Sequence, residues 1–120
     1  MIRATIGKSE NGESLILSVK GHAQFAPQGE DIICAGVSTL VYTLAQIASF
    51  SYEQGKLQKK PNIQLESADA LVVMKPKTEA FGEIMLSFFY TQVGLGLLAD
   101  NYPGCVELNA FGQNYGAKSE

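Results

Sequence analysis

The chain has no tryptophan, one histidine, two cysteines and four prolines in 120 residues. One His and two Cys are too few soft ligands for a structural zinc site. The absence of any C-x-x-C pair argues against a dithiol redox protein. Charge is also unremarkable in either sign: nine Lys and Arg stand against twelve Asp and Glu, for a formal net charge of -3. That balance does not mark the chain as a nucleic-acid binder. Its only basic cluster, Lys56, Lys59 and Lys60, lies with Gly55 and Pro61 and reads as a solvated loop rather than a phosphate-binding patch. No hydrophobic run is followed by a small-residue cleavage site, so no signal peptide is seen. Cys34 and Cys105 therefore read as thiols in a cytoplasmic protein, because a domain of this size in a reducing compartment needs no disulfide.

What is present fits an ordinary folded domain. Hydrophobic residues make up 46 % and charged residues 18 %, and the length suits one domain over residues 1–120 that buries a core without staples. From Ile32 to Tyr52 no residue carries a formal charge, a stretch long enough to suggest a membrane span. Ser38, Thr39, Thr43, Gln46, Ser49 and Ser51 interrupt it, however, and Gly36 weakens it. Apolar residues at 33, 37, 40, 41, 44, 47 and 48 follow helical spacing. Thr39, Thr43 and Gln46 form a narrow, weakly polar opposite stripe. Such a helix suits a place between a sheet and another protein surface, and no membrane is implied.

The remaining elements follow from alternation and turn signals. "IRATIG" (2–7) and "LILSVK" (15–20) read as strands joined through Asn11-Gly12, a strong hairpin signal. "NIQLES" and "ALVVMK" are two more strands, with a tight polar turn at 67–69. A second long helix runs through "KTEAFGEIMLSFFYTQVGLGLLADNY", with Thr78 as its cap, and Pro103-Gly104 stops it. "CVELNAF" is the last strand, and residues 113–120 read as a flexible tail. The order β-β-α-β-β-α-β predicts an α+β domain of two layers, a mixed sheet with two long helices on one face.

The chemistry concentrates in "GHAQFAPQGEDIICAGVS", residues 21–38. Asp31 is suited to cap the first helix, which places Cys34 in its first turn. Backbone N–H groups without intrahelical partners and the positive end of the helix dipole lie there. Both stabilise a thiolate, the nucleophilic form of cysteine, and the same N–H groups can hold an oxyanion. His22 falls at the end of the second strand. If residues 23–30 fold back, its imidazole can take the thiol proton and return it to a leaving amine. Ser38, one turn beyond Cys34, can hydrogen-bond near the pair, and Asp31 can orient the imidazole. Against this stand plainer readings: a cysteine is commonly a small buried hydrophobe, and a lone histidine a satisfied surface or core residue. For Cys105, in a predicted core strand, the plain reading is preferred.

"GHA" followed by "GEDIICAGVS" resembles the signature of the ribosomal-processing cysteine protease (Prp) family, and the likeness extends in outline to "GLGLLADNYPGCVEL". The resemblance implies a cysteine endopeptidase that removes a short N-terminal extension from a large-subunit ribosomal protein. Carried over by position, it makes Cys34 the nucleophile and His22 the general acid/base, with Gly21, Gly29, Asp31 and Ser38 at supporting positions. Ala23, Phe25 and Ala35 fall with Gly21 and Gly29 among the loop and substrate-binding positions, Phe25 as lining for a bulky side chain before the scissile bond. It further implies a homodimer, consistent with the outer stripe of the first helix, and neither metal nor organic cofactor. Many relatives carry a further glycine where this chain has Ala26 and Pro27, so the loop is expected to be stiffer. The segment "YEQGKLQKKPNIQLESADALVV" matches no family motif. The alternatives are a phage or prophage relative that processes a capsid or scaffold protein, and a non-catalytic module that binds a peptide or the ribosome.

Overall fold

The computed structural model describes residues 1–21 and 32–116. Six strands and two long helices follow in the order β1 (Ile2–Lys8), β2 (Leu15–Lys20), α1 (Ile32–Glu53), β3 (Asn62–Glu66), β4 (Asp69–Met74), a 3-10 turn (Thr78–Ala80), α2 (Phe81–Asn101), β5 (Val106–Ala110) and β6 (Gln113–Tyr115). The strands form one sheet in the order β3-β4-β2-β1-β5-β6. Only the β1–β5 pair is parallel, so the sheet is mixed as predicted.

Strand alternation decides which face is covered. Ile2, Ala4 and Ile6 of β1, Leu15, Leu17 and Val19 of β2, and Val106, Leu108 and Ala110 of β5 are all buried. The register aligns them in rows, one of which runs Leu65, Ala70, Val19, Ala4, Leu108, Tyr115 across all six strands. Both helices pack on this face. The opposite face carries Arg3, Thr5, Ser18, Glu107 and Asn109, with an exposed Arg3–Glu107 ion pair at 3.4 Å.

The β1–β2 connection uses the residues that marked it in the sequence. Asn11 Oδ1 accepts hydrogen bonds from the Ser9 hydroxyl and the Glu13 N–H, at 2.8 and 3.0 Å. Gly12 takes φ +76°, a left-handed value open to glycine at no steric cost. α1 buries Ile33, Val37, Val41, Leu44, Ala45, Ala48 and Ser51, one stripe at helical spacing. Its Thr39 and Thr43 hydroxyls donate back to the carbonyls of Ala35 and Thr39. Both helices are long and apolar enough to cross a membrane by length and composition, yet each lays a buried stripe on the sheet. The helices meet closely because Gly94 has no side chain: a Cβ there would lie 2.7 Å from a Leu40 methyl.

Four details differ from the sequence reading. Thr78 caps nothing: it opens the 3-10 turn, and α2 begins at Phe81 without a side-chain cap. Lys56 is not a solvated loop residue, since it is half-buried and paired with Glu83 of α2. The expected tail is ordered in part: residues 113–115 form β6, and buried Gly116 follows with φ +79°. Phe111 and Gly112 both take positive φ, +53° and +85°, the backbone of a two-residue hairpin turn. A strand spelled Gln-Asn-Tyr has no apolar alternation to reveal it; its ladder is backbone pairing plus an Asn109–Asn114 side-chain bond of 2.8 Å. Finally, exposed apolar side chains are not confined to α1, where a partner surface was expected: α2 exposes Leu86, Phe89, Tyr90, Val93 and Leu97.

Candidate active site

Cys34 is the third residue of α1 and is half-buried, packing in part on the core. Ile33 and Val37 turn into the sheet, and that anchors the first turn. Ala35 and Ser38 are exposed beside the thiol. Neither Cys34 nor Cys105 is in a disulfide. Cys105 is half-buried just before β5, where its carbonyl accepts from the Ile2 N–H at 2.8 Å.

Gly21 follows β2 in a conformation that only glycine takes readily. Its φ is +97°, and a Cβ would stand 2.2 Å from the Met1 carbonyl oxygen. Its N–H donates to the Ala68 carbonyl at 2.9 Å, tying the strand end to the β3–β4 turn. Ala68 itself has φ +62°, the left-handed residue of that tight turn. The chain therefore leaves β2 for His22 from a tightly held point.

A groove of about 440 Å³ opens between α1 and the β3–β4 hairpin. Cys34, Ser38 and Tyr42 face it from α1, Leu65 and Ala68 from the hairpin, and Val19 lies beneath. Of the site residues read from the sequence, Gly21, Cys34, Ala35 and Ser38 all meet at this groove. His22, Ala23, Phe25, Gly29 and Asp31 lie outside the described residues. Among the described residues no group of three His, Cys, Asp or Glu side chains could hold a metal ion.

The sequence reading missed the hairpin wall. The i, i+4, i+8 spacing of Cys34, Ser38 and Tyr42 places Tyr42 in line with the thiol. Leu65 and Ala68 carried no such signal, because only the sheet order brings β3 and β4 alongside α1. At the rim, Lys20 and Asp69 form an exposed ion pair at 3.2 Å, and Glu66 is exposed.

The shape is one that an extended peptide could enter past a thiol. Comparison with known proteins bears on that chemistry. A family model described as cysteine protease Prp matches residues 1–107. The ribosomal processing cysteine protease Prp of Mycoplasma genitalium is 31 % identical over 93 residues, which cover 78 % of this chain and 85 % of that protein. Its Bacillus subtilis counterpart is 45 % identical over a shorter span of 42 residues, 35 % of this chain and 38 % of that protein. In structure, the chain is similar to the essential ribosomal processing protease Prp of S. aureus, solved with a covalently linked product peptide. The TM-score is 0.67 at 22 % identity, over 92 % of this chain and 99 % of that one.

Proposed function

Because this chain belongs to the cysteine protease Prp family, we propose that it is a cysteine endopeptidase with Cys34 as nucleophile and His22 as general acid/base. Its substrate on this reading is the short N-terminal extension of a large-subunit ribosomal protein. The observation that carries the reading is the position of Cys34: first turn of a 22-residue helix, on the wall of a groove of about 440 Å³. The positive end of the α1 dipole favours the anion formed when the sulfur attacks a carbonyl. The imidazole takes the thiol proton, the sulfur bonds to the scissile carbonyl carbon, and the proton passes to the departing amine. Water then attacks the thioester and releases Cys34. Ser38 is a polar neighbour within the groove, and Asp31 an orienting or capping group. The family match favours a processing enzyme over a non-catalytic binding module and over a phage structural substrate.

The decisive experiment incubates the protein with a peptide copying that ribosomal extension and reads the products by mass spectrometry. Cleavage at one bond by the wild type, with none by Cys34→Ser, is expected. An intact peptide after incubation at high enzyme concentration would refute the assignment.

We further propose a cytoplasmic homodimer. Support for it comes from α2, whose exposed Leu86, Phe89, Val93 and Leu97 repeat at helical spacing and form an uncovered apolar stripe. Sedimentation at micromolar concentration should give twice the chain mass of 12.9 kDa. Phe89→Glu should return it to the monomer; a wild-type monomer would refute the packing.

A further inference from the structure

Two large apolar side chains on the groove are left exposed in the packing of the described residues. Leu65 stands on the helix-covered face of the sheet, in the same row as Ala70 and Val19. Val19 is 6 % exposed beneath α1, whereas Leu65 at the sheet edge is 42 % exposed. Tyr42 faces the groove from α1 at 57 % exposure, next to buried Val41. Neither side chain belongs to the buried core, and both border the same groove as Cys34.

The distance of Tyr42 from the thiol is set by the helix. Tyr42 lies eight residues beyond Cys34, roughly 12 Å along the axis at 1.5 Å per residue. An extended chain covers that span in about three or four residues at 3.3 Å each. We infer that Tyr42 and Leu65 form a distal apolar subsite, which takes a large apolar side chain of the substrate about three or four residues from the scissile bond. It selects substrates by a side chain remote from the reacting carbonyl. This assigns a substrate-reading role to Leu65, within the segment "YEQGKLQKKPNIQLESADALVV" that matches no family motif. The inference rests on the peptidase reading above, and its test separates the two.

The probe is the ribosomal-extension peptide, fluorescently labelled, with alanine placed at each position in turn. Binding is read by anisotropy in the Cys34→Ser background, while cleavage by the wild type is followed in parallel. In Cys34→Ser, alanine at one apolar position three or four residues from the bond should weaken binding about tenfold, the scale of losing one well-buried apolar side chain. With Leu65→Ala or Tyr42→Ala added, the same peptide change should cost less than about twofold, because the partner surface has gone. Phe50→Ala, exposed on α1 away from the groove, should behave as its parent. A full tenfold loss persisting in both Leu65→Ala and Tyr42→Ala would overturn the subsite, as would the lack of any sensitive position at that separation. A peptide bound with this coupling yet never cut would sink the peptidase reading and leave the subsite standing.

Discussion

Replacing Gly21 by alanine tests the local physics of the site most directly. Two costs add. A left-handed φ of +97° costs an alanine on the order of 1–2 kcal/mol. The new Cβ would also stand 2.2 Å from the Met1 carbonyl oxygen. That oxygen belongs to the backbone, and the neighbouring Ile2 N–H is held by the Cys105 carbonyl at 2.8 Å, so no side-chain rotation relieves the overlap. The strand end has to shift, which weakens the Gly21–Ala68 hydrogen bond, a contribution of about 1 kcal/mol. The sum is about 2–3 kcal/mol, which for a domain of this size lowers Tm on the order of 10 °C. Gly82→Ala is the control, since a Cβ there meets nothing within 4 Å and lies in α2; it should be neutral or stabilise by up to about 1 kcal/mol. Both are read by thermal melts, with peptide cleavage measured well below Tm. Gly21→Ala should also lose most of its cleavage rate, because His22 follows directly. A Gly21→Ala protein that melts within about 1 °C of wild type would refute the reasoning, given that each unit of kcal/mol moves Tm by several degrees.

Two other outcomes follow from packing and exposure. Phe88, fully buried on α2, should cost about 3–5 kcal/mol when replaced by alanine, seen as a lower urea midpoint; a loss under about 1 kcal/mol would mean that α2 does not close the core. Iodoacetamide should modify Cys34 faster than Cys105 in the folded protein, with His22→Ala slowing the reaction at Cys34 only, as peptide mapping would show. Equal rates at both thiols would count against an activated nucleophile.

Much of the fold was legible because local pattern and tertiary place agreed. The 3.6-residue spacing of Ile33, Val37, Val41 and Leu44 announced a helix where α1 runs, and alternation in 2–7 and 15–20 announced the paired strands. Where agreement failed, the forces were not local. β6 is held by backbone pairing to β5, a pattern no side-chain period records. Thr78 has good cap chemistry, yet the chain enters α2 through a 3-10 turn that buries Ala80. The stripe on α2 was hidden in a sequence apolar on most sides, where periodicity cannot tell the sheet face from the open one.

By itself, the sequence determined the kinds and order of the long helices and of β1 to β5, and the presence of a cysteine at the start of a helix without charge before Glu53; these depend on neighbours within a few residues. The groove was decided only in three dimensions. β3 and β4 reach the side of α1 because β4 pairs with β2, and the Ala68 carbonyl then fastens Gly21 across 47 positions of chain. Contacts at that separation arise from closing the core around one shared sheet face, and no short window of residues contains them.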